Sequence, residues 1–151
     1  MEKYDVTVDM ESTVRFYKKG TEELHRLDGP AVERVDGGKV WYQNDKCHRL
    51  DGPAVERVDG GKVWYQNNKC HRLDGPAVER VDGGKVWYQN NELHRLDGPA
   101  IEYANGVNEW FIEGKKYTEA QFNKKIASLN TKEMTIGEIE AKLGHKIKVV
   151  K

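Results

Sequence analysis

Four histidines, at positions 25, 48, 71 and 94, stand 23 residues apart. Each opens the string His-Arg-Leu-Asp-Gly-Pro-Ala, and Cys47 and Cys70 directly precede two of them. Histidine and cysteine are metal-ligand types, but a closed zinc site needs four ligands converging on one point, usually as close pairs. Here each Cys-His pair is adjacent in sequence and its copies sit a full repeat apart, so no metal is expected. Each imidazole is expected instead to order its loop through one hydrogen bond, with Asp28, Asp51, Asp74 and Asp97 as candidate acceptors. The two cysteines, placed about 9 to 10 Å apart by stacked hairpins, exceed disulfide reach. They read as modest apolar side chains with free thiols, because Leu93 replaces them in the next unit.

Glu33, Glu56, Glu79 and Glu102 repeat at the same interval, as do Arg34, Arg57 and Arg80. Paired carboxylates can cleave glycosides, but that chemistry needs two environments that separate their pKa values. Identical copies in identical settings give a cross-strand charge ladder on a solvated face. The pairs Trp41-Tyr42, Trp64-Tyr65 and Trp87-Tyr88, with Trp110-Phe111, have two readings. They either stabilise the stack or form an exposed stripe that binds a partner. We assign most of the tryptophans to the core and Tyr42, Tyr65 and Tyr88 to a partner. The candidate binding set is these tyrosines with Trp41, Trp64, Trp87, Trp110, Arg34, Arg57 and Arg80. No nucleophile–base pair, phosphate loop or cofactor motif accompanies them, so no enzyme activity, cofactor or metal is expected.

The elements that hold these residues follow from the repeat. In Gly-Pro-Ala-Val-Glu-Arg-Val-Asp-Gly-Gly-Lys-Val-Trp-Tyr-Gln-Asn (29–44), Asp36-Gly37-Gly38 separates two β-prone segments and supplies the positive φ of a tight hairpin turn. Strands are predicted over about 31–35 and 39–43, with the following Asn-Asp-Lys-Cys-His-Arg-Leu-Asp-Gly-Pro read as a loop. A turn at Gly37-Gly38 sets Val35 opposite Val40. A turn at Asp36-Gly37 sets Val32 opposite Trp41. The two exchange the buried face. A lone hairpin is marginal, so units must stack, each lending a tryptophan to a continuous narrow core. The predicted fold is mainly β, an elongated twisted antiparallel meander of hairpin repeats with a small C-terminal helical cap. Residues 1–24 form an N-terminal partial repeat, 25–117 four repeats, and 118–151 a helix–helix–strand cap.

Composition narrows the function. Twenty-five basic residues balance 25 acidic ones over 151 residues, which argues against a nucleic-acid scaffold. No apolar run approaches a membrane span, and the charged start Met-Glu-Lys-Tyr-Asp-Val-Thr-Val-Asp-Met lacks the apolar stretch of a secretion signal, so a cytoplasmic protein is expected. Beyond Tyr117, Thr118-Glu-Ala-Gln121 and Thr135-Ile-Gly-Glu138 are capping boxes, with Tyr117/Phe122 and Met134/Ile139 placed as staples. Gly144 suits a helix C-terminus, and Lys-Ile-Lys-Val-Val-Lys alternates like a strand.

The 23-residue unit resembles a MORN repeat: Asn44-Asp45-Lys46-Cys47-His48, then Gly52 to Val58, then Asp59-Gly60-Gly61 match that family's pattern over roughly residues 14 to 117. Asp45, Asn68 and Asn91 stand where the family has glycine, which returns only at Gly114. The His-Arg-x-Asp-Gly-Pro-Ala and Trp-Tyr variant is similar to repeats in bacteriophage and giant-virus proteins and to bacterial repeats provisionally labelled antitoxin. The resemblance implies a non-enzymatic platform. Its expected partner is a host protein, bound by a phage-encoded inhibitor of a defence effector or toxin. Two other readings are a structural spacer that self-associates through its C-terminal tail or edge strands, and a carbohydrate-binding module. The latter is similar to choline-binding cell-wall repeats but lacks their Gly-Trp dipeptide.

Overall fold

A computed structural model describes residues 3–130, 136–144 and 146. An N-terminal hairpin joins β1 (Tyr4–Val8) to β2 (Val14–Lys18). Each of the next three units contributes four short strands. They are β3 (Val32–Glu33), β4 (Lys39–Val40), β5 (Tyr42–Gln43) and β6 (Lys46–Cys47), then β7 (Val55–Glu56), β8 (Lys62–Val63), β9 (Tyr65–Gln66) and β10 (Lys69–Cys70). The third unit supplies β11 (Val78–Glu79), β12 (Lys85–Val86), β13 (Tyr88–Gln89) and β14 (Glu92–Leu93). The fourth supplies β15 (Ile101–Glu102), β16 (Asn108–Ile112) and β17 (Lys115–Tyr117), followed by α1 (Glu119–Asn130) and α2 (Ile136–Leu143). The protein is mainly β, a long antiparallel meander with a small helical cap.

Neither expected register occurs. Val32 lies opposite Val40 and Glu33 opposite Lys39. The loop is therefore three residues, Val35-Asp36-Gly37, closed by Arg34 N–H to Gly38 O at 2.9 Å. The Asp36 carboxylate causes this. Its Oδ1 accepts the Gly38 N–H at 2.8 Å, and Gly37 takes φ +93°, a conformation other residues enter only at a cost. Register then propagates by simple pairing, Val40 to Val55 and Val55 to Val63, so one row of valines crosses the long sheet.

The stretch after Trp41 is not only a loop. Tyr42 pairs with Cys47 and Gln43 with Lys46, around the two-residue turn Asn44-Asp45. Both turn residues have positive φ, +50° and +57°, as a type I′ turn requires, and Asn and Asp tolerate that region. Each of the first three units thus folds into two hairpins. The first joins an eleven-stranded sheet, while the second forms a separate two-stranded sheet beside it.

The core lies where these two layers meet, and it is made of small side chains. Ala31, Ala54, Ala77 and Ala100 are fully buried, with Val40, Val63, Val86, Cys47 and Cys70 nearly so. The expected continuous tryptophan core is absent. Trp41 is half-buried and packs against the Val32–Val40–Cys47–Ala54 cluster without being part of its interior. Two-residue strands leave room between layers for Ala and Val, whereas an indole must sit at the bend between β4 and β5.

Cys47 N–H donates to Asn68 Oδ1 at 2.7 Å, and Asn68 N–H donates to Cys47 O at 3.0 Å. Cys70 and Asn91 repeat the exchange at 2.6 and 3.0 Å. Asp45, Asn68 and Asn91 thus combine a left-handed turn with a side-chain acceptor that glycine lacks. The last turn, at Gly114, keeps only the main-chain bond to Leu93 O.

The C-terminal cap forms as its first box predicts. Thr118 N–H donates to Gln121 Oε1 at 3.0 Å, and Gln121 N–H to Thr118 Oγ1 at 3.3 Å. Helix α1 packs on β16 and β17 and buries Phe122 to 4% exposure. Gly144 ends α2 at φ +72°, its N–H reaching Glu140 O. Thr135, Met134 and the strand over 147–151 lie outside the described residues. No helix among the described residues is long and apolar enough to cross a membrane.

The asparagine exchange yields a stability test. Asn68→Gly relieves the left-handed turn but leaves the buried Cys47 N–H without its acceptor, a net loss of about 1 kcal/mol. Asn68→Ala, which also strains the turn, loses about 2 kcal/mol. Denaturant unfolding measures both, and a gain in stability for Asn68→Gly would refute the account.

Candidate binding surface

Alternation along Lys39–Gln43 sends Val40 and Tyr42 to one side of the array and Lys39, Trp41 and Gln43 to the other. The ten candidate residues therefore do not form one site.

On the tryptophan side the rings of Trp41, Trp64 and Trp87 are already occupied. The Arg49 guanidinium lies 4.0 Å from the centre of the Trp41 ring, Arg72 4.1 Å from Trp64, Arg95 3.9 Å from Trp87, and Arg26 3.9 Å from Phe16. The same guanidinium is held at its edges. Arg49 Nε donates to Asp51 Oδ1 at 2.9 Å, and Nη1 donates to Pro53 O at 3.2 Å and Glu56 Oε1 at 3.1 Å. All four copies repeat this set. The face of the guanidinium opposite the ring abuts Gly52, where an added Cβ would come within 2.9 Å of Arg49 Cζ. The glycine of the motif exists to admit this plane. Trp110 has no such arginine, because Thr118 occupies the equivalent position.

The expected histidine–aspartate bond does not form, because the aspartates are engaged by arginine. Arg49 and Arg72 hold the carboxyls of Asp51 and Asp74 below the usual carboxylate range, as Arg95 does for Asp97. The imidazoles accept instead from a downstream turn. Nδ1 of His48, His71 and His94 takes the N–H of Asn67, Asn90 and Glu113 at 3.1–3.2 Å, and His25 takes that of Asn44. In His71 and His94 this places the proton of a neutral ring on Nε2, while Nδ1 of His25 and His48 also lies 3.1 and 3.0 Å from the side-chain oxygen of Asn44 and Asn67. Among the described residues no group of three His, Cys, Asp or Glu is placed to hold a metal.

The glutamates form the expected charge ladder, with lysine as the cross-strand neighbour. Glu33 opposes Lys39, Lys39 opposes Glu56, and Glu56 opposes Lys62. The Glu repeat also closes the arginine clamp, a role that spacing alone does not reveal.

The other side gathers the remaining candidates. Arg34, Val40, Val55 and Arg57 line a recess of about 390 Å³, and Arg57, Val63, Val78 and Arg80 line the next, of about 470 Å³. Arg57 and Asp59 border both, so the recesses run into one groove. Tyr42, Tyr65 and Tyr88 are half-buried and packed on the apolar clusters, and Tyr42 lines a further recess with Arg34 and Val40. Burial pushes each phenol pKa up, while the charge of Arg34, Arg57 or Arg80 draws it partly back. These three arginines are exposed, and no carboxylate pairs with them among the described residues. Val35, Val58 and Val81 add exposed apolar surface at the rim, at 66–73% exposure.

The structural arginines 26, 49, 72 and 95 were not singled out from sequence. Their signal was present, since the His-Arg-Leu-Asp-Gly-Pro-Ala string is unchanged in four copies while its fourth surrounding unit drifts. Compared with known proteins, the chain matches no family model and no curated protein.

Two predictions follow from these contacts. Gly75→Ala displaces the Arg72 guanidinium from Trp64 and lowers stability by about 1–2 kcal/mol. In an Arg72→Ala background the same change costs almost nothing, and a full penalty there would disprove the clamp. The thiols give the second. Burial pushes the pKa of Cys47 up to about 12 and that of Cys70 to about 11. A thiol raised in the fold contributes stability that is complete below the unfolded value of about 8.5 and is lost as pH climbs through the folded values. The melting temperature should fall from about pH 9 upward. The fall should be shallower in a Cys47→Leu/Cys70→Leu variant carrying the residue of position 93.

Proposed function

We propose that the chain is a non-enzymatic binding protein whose arginine-lined groove, with Tyr42, Tyr65 and Tyr88 on the same side of the array, receives a protein partner. The observation that carries this reading is the division of labour between two arginine sets. Arg49, Arg72 and Arg95 are consumed by the fold, whereas Arg34, Arg57 and Arg80 stand exposed over a valine floor, with Tyr42, Tyr65 and Tyr88 on the same side of the array. Guanidinium and phenol groups are among those that dominate protein-binding hot spots. Three copies at two-strand spacing, about 9.6 Å apart, offer an extended surface rather than a pocket.

The partner class follows the resemblance to antitoxin-labelled and phage repeats. The chain acts in the host cytoplasm as a phage-encoded inhibitor that occludes a defence effector or toxin. The tryptophan side is less suited to glycan stacking, because the rings of Trp41, Trp64 and Trp87 already carry a guanidinium.

Affinity capture from bacterial lysate tests this, with the full chain beside an Arg34→Glu/Arg57→Glu/Arg80→Glu variant. The expected result is one host protein retained by the full chain and lost, at least a hundredfold in affinity, from the variant, with unchanged circular dichroism. Retention by both would move the site off the groove. Retention by neither would remove the inhibitor reading.

A further inference from the structure

The array treats its two ends differently. At the C-terminal end α1 covers β16 and β17 with Phe122 buried beneath it. At the N-terminal end β1 is the outermost strand of the long sheet, paired only with β2. It is five residues long, where the strands of that sheet from β3 to β15 have two, and contains no proline or glycine. Its main chain can be oriented. Phe16 N–H points away from β1, to Ala31 O, and Asp9 N–H points inward, to Thr13 O. Strand alternation then turns the Asp5 and Thr7 main-chain groups toward β2 and those of Val6 and Val8 outward. Val6 and Val8 are 53% and 64% exposed. An edge of this kind is a template for another strand.

We infer that β1 pairs antiparallel with β1 of a second copy, making a two-fold dimer centred on Val6 with one continuous sheet through both arrays. The sequence of the edge is self-complementary in that register. Val6 meets Val6, Tyr4 meets Val8, Asp5 meets Thr7, and Lys3 meets Asp9, a carboxylate that Arg15 already holds at 2.6 Å, so no like charges face each other. The central pair has its N–H and C=O groups outward on both copies, the arrangement that exchanges two hydrogen bonds across a two-fold axis. Asp5 is no obstacle, since Lys19 Nζ and Gly20 N–H hold its carboxylate at 2.9 and 2.7 Å. Val6 shares a face with its partner Phe16, so the seam joins apolar surface from both copies. Because β1 pairs with its own copy, the contact is isologous and the assembly a closed dimer rather than a fibre. The groove of Arg34, Arg57 and Arg80 stays open and is doubled in number.

Sedimentation of the full chain over a range of concentrations tests the pairing. The expected species is twice the 17.4 kDa chain, with a dissociation constant in the micromolar range of small interfaces. Val6→Lys, at an exposed position, should weaken association at least tenfold without changing the melting temperature of the monomer. Register is tested by oxidation. Val6→Cys places two thiols on Cα atoms about 5.5 Å apart, within disulfide reach, and should cross-link. Val8→Cys, equally exposed but roughly 13 Å from its own copy, should not. A monomer at all concentrations overturns the inference. So does a dimer that survives Val6→Lys, or equal cross-linking at both positions.

Discussion

Each unit is organised around a guanidinium stacked on an aromatic ring. Hairpins with two-residue strands and an interior of alanine, valine and cysteine bury too little to hold themselves together. The arginine supplies what the core cannot. One planar group touches the ring at the bend, a carbonyl in the following turn, and a glutamate on the next strand of the long sheet. It therefore fixes three segments at once, and its rigid fork loses less freedom per bond than a lysine would. The partners do not contribute equally. Asp51 is 84% exposed at its side chain and Glu56 only 37%, so solvent screens the aspartate pair more strongly. The ring, the carbonyl and the glutamate carry most of the clamp, and the aspartate mainly aims it.

The second constraint is main-chain satisfaction in the minor layer. Two-residue strands leave most N–H groups without a ladder partner, and a buried donor with none costs about 1–3 kcal/mol. Polar side chains fill the gaps in a fixed pattern. An asparagine oxygen takes the cysteine N–H of the preceding unit, and an imidazole nitrogen takes the N–H at the first position of a turn nineteen residues on. The histidine ladder, which looks like chemistry when read as a list, is thus part of backbone bookkeeping. Its regular 23-residue interval follows from having one such turn per unit.

Much of this was legible. The repeat, its first hairpin, the loop of the Asp-Gly-Gly turn and the first capping box all follow from local turn and cap chemistry. The register was not legible, because Asp36 adds a side-chain bond that favours a three-residue loop over either two-residue turn. The second hairpin was missed for a related reason. Asn-Asp reads as a generic loop unless both residues are known to be left-handed. The tryptophans were placed in the core from their size alone, whereas stacking by an arginine eight residues later is a long-range contact that hydrophobic periodicity does not encode. The candidate set itself split along the alternation rule. Arg34 and Tyr42 share a face and Trp41 takes the other, a division that could be drawn only once the register was known.

The departures in the fourth unit show which contacts depend on a neighbour. Its strand runs unbroken from Asn108 to Ile112, because no further unit must pair beside it and the bend is no longer required. Glu109 stands where valine lines the groove in earlier units and meets Lys116 at 2.8 Å. Gly114 replaces the asparagine but keeps its main-chain bond to Leu93. Tyr103 takes the place of Arg80, so the exposed arginine row ends one unit before the fold does. Tyr117 and Thr118 follow where His-Arg would start another clamp, and they open the helix that closes the sheet. The array stops because the residues that recruit a successor, the stacking arginine and the turn-binding histidine, are replaced by a helix cap. At the other end β1 is the outermost strand of the same sheet, an edge along which, among the described residues, the pairing can still be extended.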